Sequence, residues 1–179
     1  MLIYILAGLA TVIVIFLLVA ALQPAAFRIV RSALISAPPA VVFARVDNLH
    51  TWQEFSPWAK LDPAVQNTYE GPDAGLGASF AWNGNAKVGQ GRMTITASQP
   101  HERIEIRLDF QRPFKNTNIA EFLFQSEGGQ TKVIWSMSGE KNLIMKAFGL
   151  VMNMDKLIGG EFEQGLASLK ALAEAAGSK

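Results

Sequence analysis

The chain carries few side chains that could do chemistry. Of 179 residues none is cysteine and two are histidine, His50 and His101. Disulfides, thiolate catalysis and Cys-ligated metals are therefore excluded. His50 and Glu54 stand four apart, which on a helix would put them on one face as an acid/base pair or two metal ligands. Two ligands do not make a metal site, and His101 falls in a turn far along the chain, so no metal is expected. Ser56 has no recognisable base and acid partner for nucleophilic catalysis. GPDAGLGASF (71–80) has neither a GxGxxG nor a Walker lysine. The alternation after it predicts a turn leading into a strand instead of a phosphate loop, with Lys87 a solvated hairpin residue. Glu121, inside an apolar run, and Glu140, closing WSMSGE, are the carboxylates placed to act in a cavity wall, where desolvation would raise their pKa. For Glu121 an outward-facing position is the favoured reading. Tyr69 and His50 complete the short set of polar candidates.

Apolar bulk is the richer signal. TWQEFSPW (51–58) spends two of four tryptophans on eight positions. These rings could plug a core, form the mouth of an apolar pocket or touch a membrane. Pro57 would stiffen the turn that carries them.

The elements that must hold these residues follow from periodicity. Leu2 to Leu22 has no charge and one clearly polar residue, Thr11. Twenty-one helical residues span roughly 31 Å, the thickness of a bilayer core. The run exceeds a signal peptide's usual ~7–15 apolar residues and no Lys or Arg precedes it, so residues 1–23 read as a transmembrane anchor. Arg28 and Arg31 follow it, which favours a cytoplasmic domain on the positive-inside rule. The expectation is a single-pass protein of a bacterial inner membrane, with a domain of residues 24–179. The net charge of +1 gives no field to attract nucleic acid. Protein partners are not readable.

FRIVRSALIS (27–36) reads as a strand. Pro38 and Pro39 open a helix with Val42, Phe43 and Val46 at helical spacing, and a second short helix is expected over Asp47 to Trp52. After Asp73 the period becomes two. Ala78, Phe80 and Trp82 share one face, as do Met93, Ile95 and Ala97, and then Ile104, Ile106, Leu108 and Phe110. IAEFLFQ and TKVIWSMSG follow across a Glu127–Gln130 hairpin turn. From Met152 to Ala175 the period is helical again, with Ile158, Phe162, Leu166, Leu169 and Leu172 or Ala173 in one stripe. Gly159 and Gly160 are expected to weaken or bend its first turns. The layout is α+β: a strand, two short helices, about six antiparallel strands and a long C-terminal helix that must cover the sheet.

Through most of residues 27–175 the sequence resembles the START-like helix-grip superfamily (SRPBCC), in its polyketide cyclase/dehydrase and lipid-transport branch. ISAPPAVVFARVDNLHTWQEFSPW, YEGPDAGLGASFAWNG, VGQGRMTI, TKVIWSMSGE and GGEFEQGLASLKALAE carry the resemblance, in that order. It implies a bent antiparallel sheet gripping the last helix, with an apolar cavity between them. The residues expected to line that cavity are Trp52, Phe55, Trp58, Tyr69, Phe80, Trp82, Met93, Ile95, Phe110, Phe122, Phe124, Trp135, Met137, Phe148 and Met152, with Met145 and Met154 beside them. Periodicity alone does not separate such a pocket from a solid core. The implied function is binding of an apolar small molecule, a lipid or an aromatic metabolite, with no cofactor. A cyclase or dehydratase, or a co-chaperone-like interaction module, are the alternatives.

Overall fold

The computed structural model describes residues 1–177. Helix α1 (Leu2–Leu22) coincides with the apolar run and ends ahead of Pro24, which cannot continue it. Only Ala20 of its residues is buried, so α1 is not a core helix. It is long and apolar enough to cross a membrane.

Strand β1 (Ala26–Ile35) follows directly. Helix α2 (Pro39–Asp47) starts on Pro39, whose missing N–H is no loss at a first helical position. It buries Val42, Phe43 and Val46. The helix expected over Asp47 to Trp52 is displaced: α3 runs Trp52–Phe55, followed by a 3₁₀ turn, Pro57–Lys60. The Asn48 side chain accepts from the His50 N–H at 2.9 Å, and the Thr51 hydroxyl donates to the carbonyls of Arg45 and Asn48. Those local bonds hold a turn where a helix would otherwise start.

Six further strands are β2 (Gln66–Glu70), β3 (Ser79–Asn83), β4 (Gln90–Gln99), β5 (Arg103–Arg112), β6 (Asn116–Glu127) and β7 (Gln130–Glu140). They form one antiparallel sheet in the order β1-β7-β6-β5-β4-β3-β2. The β6–β7 hairpin turns on Gly128 and Gly129, both at positive φ, as a two-residue turn matched to strand twist requires. One face assignment is corrected. Ile95 pairs with Ile106, but the register then slips and Ala97 pairs with Glu105 while Ser98 pairs with Ile104. This bulge turns Ala97 to the outer face and Ser98 inward, where its hydroxyl bonds Asp47 at 2.7 Å.

Helices α4 (Leu143–Val151) and α5 (Met154–Gly177) close the chain. Helix α5 lays Phe162, Leu166, Leu169 and Ala173 onto the sheet, all at most 2 % exposed. Gly159 does not break it. A methyl group there would overlap the guanidinium of Arg31, which reaches from the inner face of β1 under the helix. Arg31 donates to Glu163 at 2.7 Å and to both carboxylate oxygens and the carbonyl of Asp155. Gly165 likewise lets the Trp135 ring lie against the helix.

Four carboxylates are held below their ordinary range: Glu70 by Arg92, Glu105 by Thr96 and Arg103, Asp155 by Arg31, and Glu174 by the Ser36 N–H. A depressed folded pKa contributes stability above the unfolded value, which is lost as pH falls through the folded one. The thermal midpoint is therefore expected to stay flat from about pH 6 to 8 and to fall below about pH 4. Asp155→Asn should shrink that acid limb, as read by thermal unfolding across pH.

Candidate functional site

The concave face of the sheet holds two aromatic groups. In the first, Trp135 stacks on Phe162 of α5 with centroids 4.1 Å apart and planes 5° from parallel, and on Phe122 at 4.7 Å. Trp52, Phe55 and Trp58 present edges to it at 5.7, 6.5 and 6.1 Å. Phe124 stacks beside Phe122 and meets Phe43 of α2. Short helices on stiff Pro57 deliver these rings because α3 and the 3₁₀ turn pack on α5. Trp58, half-buried, also meets Phe162 at 6.2 Å. TWQEFSPW thus feeds one interlocked cluster.

In the second group, Tyr69, Phe80, Trp82 and Phe110 run in contact across β2, β3 and β5. The Trp82 indole N–H donates to the Val88 carbonyl at 3.0 Å. Burial raises the Tyr69 phenol above its ordinary value. Met93, Ile95 and Met137 are buried on the same face of the sheet. Thirteen of the fifteen side chains expected to line a cavity therefore pack in these two groups or are buried beside them on the same face, while Phe148 and Met152 are 50 % and 45 % exposed.

Two rungs along from Trp135 the packing opens. Trp135 pairs with Arg31, Met137 with Ile29, and Gly139 with Phe27. Phe27 and Ile29 form the floor of a cleft of about 460 Å³, walled by Met145, Met152, Met154 and Ile158. Arg28, Lys141, Asn153 and Asp155 supply its polar groups, and the Asp155 carboxylate is already engaged by Arg31. Beneath the floor, Asn118 lies against Gly139 beside Phe27, so no larger residue fits at 139. Its amide is 5 % exposed, accepts from Asn116 at 3.0 Å, and approaches the Met137 sulfur. The sequence marked Met145, Met152 and Met154 here. It missed Phe27, Ile29 and Asn118, which the alternation of β1 and β6 places on the inner face. It also missed that LIMKAFGLV forms a helix of its own.

The polar candidates do not gather. His50 precedes α3, stacks on Tyr69 at 4.0 Å and faces Asp73 at 3.4 Å, while Glu54 pairs with Arg45 at 3.2 Å. The two therefore do not share a face as expected, because the chain turns at Asn48. Glu121 is on the outer face, 2.6 Å from Arg103, and Glu140 is exposed at the end of β7. His101 takes φ +65° at the tip of the β4–β5 hairpin, its ring edge-on to Phe43. Ser56 is buried between α3 and the 3₁₀ turn, and Lys87 is exposed. No cluster of three His, Asp or Glu groups able to hold a metal occurs among the described residues.

A seven-stranded antiparallel sheet closed over one long C-terminal helix, with a cleft at its mouth, defines a helix-grip protein. The family model described as Polyketide cyclase / dehydrase and lipid transport matches residues 26–174, and the chain belongs to that family. Protein CV1439 from Chromobacterium violaceum is similar in structure at 17 % identity and TM-score 0.59, covering 85 % of this chain and 99 % of its own. A protein from Rhizobium leguminosarum follows at 14 %, TM-score 0.61 and coverage of 86 % and 97 %. The Aha1 dimer from Colwellia psychrerythraea is similar at 15 % identity and TM-score 0.59, covering 83 % of this chain and 96 % of its own. At such identities the likeness is one of fold. No curated protein matches the sequence significantly.

Proposed function

We propose that this protein is a membrane-anchored lipid-binding domain, taking an apolar chain into the cleft between β1, α4 and the start of α5. The observation that carries this reading is the cleft itself. Its volume lies within the ~300–1,000 Å³ of small-molecule sites, and methionine and phenylalanine walls adapt to a flexible chain. It opens beside α4, which packs on the helix able to span a bilayer. Three residues separate α1 from β1, so a lipid would have little water to cross. Packing of α1 on α4 favours a retained anchor over a cleaved leader. The scatter of Glu121, Glu140, His50 and Tyr69 favours binding over cyclase chemistry, which needs polar groups converging on one substrate.

The full chain in vesicles doped with a phospholipid carrying a photoactivatable acyl chain provides the test. Cross-links at Phe27, Ile29 and Ile158, beyond those in α1, are the expected result. Cross-links confined to residues 2–22 and 143–152 would refute cleft binding. Ile158→Trp, which fills the cleft from its half-buried wall, should reduce capture at Phe27 and Ile29 about tenfold.

A further inference from the structure

Helix α4 is unlike every other helix in the domain: none of its residues is buried, although eight of its nine are Leu, Ile, Met, Ala, Phe, Gly or Val. Leu143, Ile144, Phe148 and Val151 are 46–71 % exposed, and Met152 continues the patch. Nothing in the domain's core explains this surface. Its neighbour is α1: Phe16 and Leu17 face Leu143, Ile144, Ala147 and Phe148 across an almost wholly apolar groove of about 310 Å³. Phe16 and Leu17 stand six and five residues before Leu22, the last residue of α1. At ~1.5 Å per residue the contact lies roughly 8–9 Å inside the end of that helix. Surface-lying amphipathic helices sit ~5–10 Å into the headgroup and acyl boundary. The single charge of α4 lies nearer the end of the span, since Lys146 Nζ donates to the Ala21 carbonyl at 3.1 Å. A lysine there reaches the headgroups while its stem stays apolar.

We infer that α4 is a membrane-surface helix, lying in the interfacial layer of the bilayer that α1 spans and forming the wall between that layer and the cleft. The inference rests on the anchored reading of α1. Its occupant is lipid, because α1 already fixes α4 within the thickness of the acyl boundary, where no aqueous partner reaches. The groove between α1 and α4 and the cleft above β1 share one wall residue, Val151 at the end of α4. An acyl chain resting in the groove is thus one side chain away from the cleft. The chain passes from α4 into α5 through extended Met152, so the wall ends where the two recesses meet.

The absence of cysteine makes any introduced thiol unique. Leu9→Cys in α1, Ile144→Cys and Phe148→Cys in α4, and Ser126→Cys at the exposed end of β6 would each carry an environment-sensitive fluorophore. The full chain would be reconstituted in phosphatidylcholine vesicles. Quenching would be compared between aqueous iodide and nitroxides placed high or low on the acyl chains. The expected pattern is deep quenching at Leu9, shallow quenching with loss of most iodide access at Ile144 and Phe148, and full iodide access at Ser126. Iodide access at both α4 positions equal to that at Ser126, with Leu9 deep, would overturn the inference and leave the anchor intact. Iodide access at Leu9 would overturn the anchored reading and the inference with it.

Discussion

Replacing Trp135 with alanine is expected to destabilise the domain by about 3 kcal/mol, at the lower end of the ~3–5 kcal/mol typical of removing a buried large ring. Trp135 is 1 % exposed and touches rings from α3, the 3₁₀ turn, β6 and α5. Aromatic pairs of these geometries add about 0.5–1.5 kcal/mol each beyond buried area. One effect runs the other way: the indole N–H is buried with no acceptor among the described residues, a state that costs about 1–3 kcal/mol. The lost ring contacts outweigh it, since several pairs fail together. Trp135→Phe separates the terms, keeping a ring against Phe162 while removing the orphan donor, and should lose only about 1 kcal/mol. Urea unfolding followed by circular dichroism reads both. Equal losses in the two variants would mean that the stack on Phe162 contributes little.

Gly159→Ala sets two effects of opposite sign against each other. Helix propensity alone predicts a gain of about 1 kcal/mol within α5. The new methyl, however, meets the Arg31 guanidinium, which Asp155 and Glu163 hold between β1 and the helix. Overpacking against a fixed group costs about 1–3 kcal/mol, so the net expectation is a loss. In an Arg31→Ala background the obstacle is gone, and the same substitution should stabilise by about 1 kcal/mol. A double-mutant cycle on urea midpoints detects that reversal of sign. Stabilisation by Gly159→Ala in both backgrounds would refute the contact.

The parts of the fold that were legible from sequence are those where burial imposes a period. Ile104 and Ile106 alternate because β5 has one covered face, and Phe162, Leu166, Leu169 and Ala173 recur because α5 covers it. Strand β2 escaped because QNTYE is polar and lies at the sheet edge, where little burial disciplines it. The bulge beyond Ile95 left no compositional mark, since threonine, alanine and serine suit either face. For the site, sequence reported how apolar residues were but not what they face. Trp52 and Phe148 read alike, yet one is enclosed by rings and the other lies open beside α1.

The join between α1 and β1 carries a further consequence. It is three residues long and tied at both ends: the Gln23 N–H donates to Ala20, the Lys141 N–H donates to the Ala25 carbonyl, and β1 begins pairing at Ala26. Under the anchored reading, such a joint permits neither swinging nor reach. The domain would encounter its ligand by drifting within one sheet of lipid, at a fixed height and facing one way. It would act as a stationary sampler of local membrane composition, not as a ferry, and delivery to a second membrane would require that membrane to come to it.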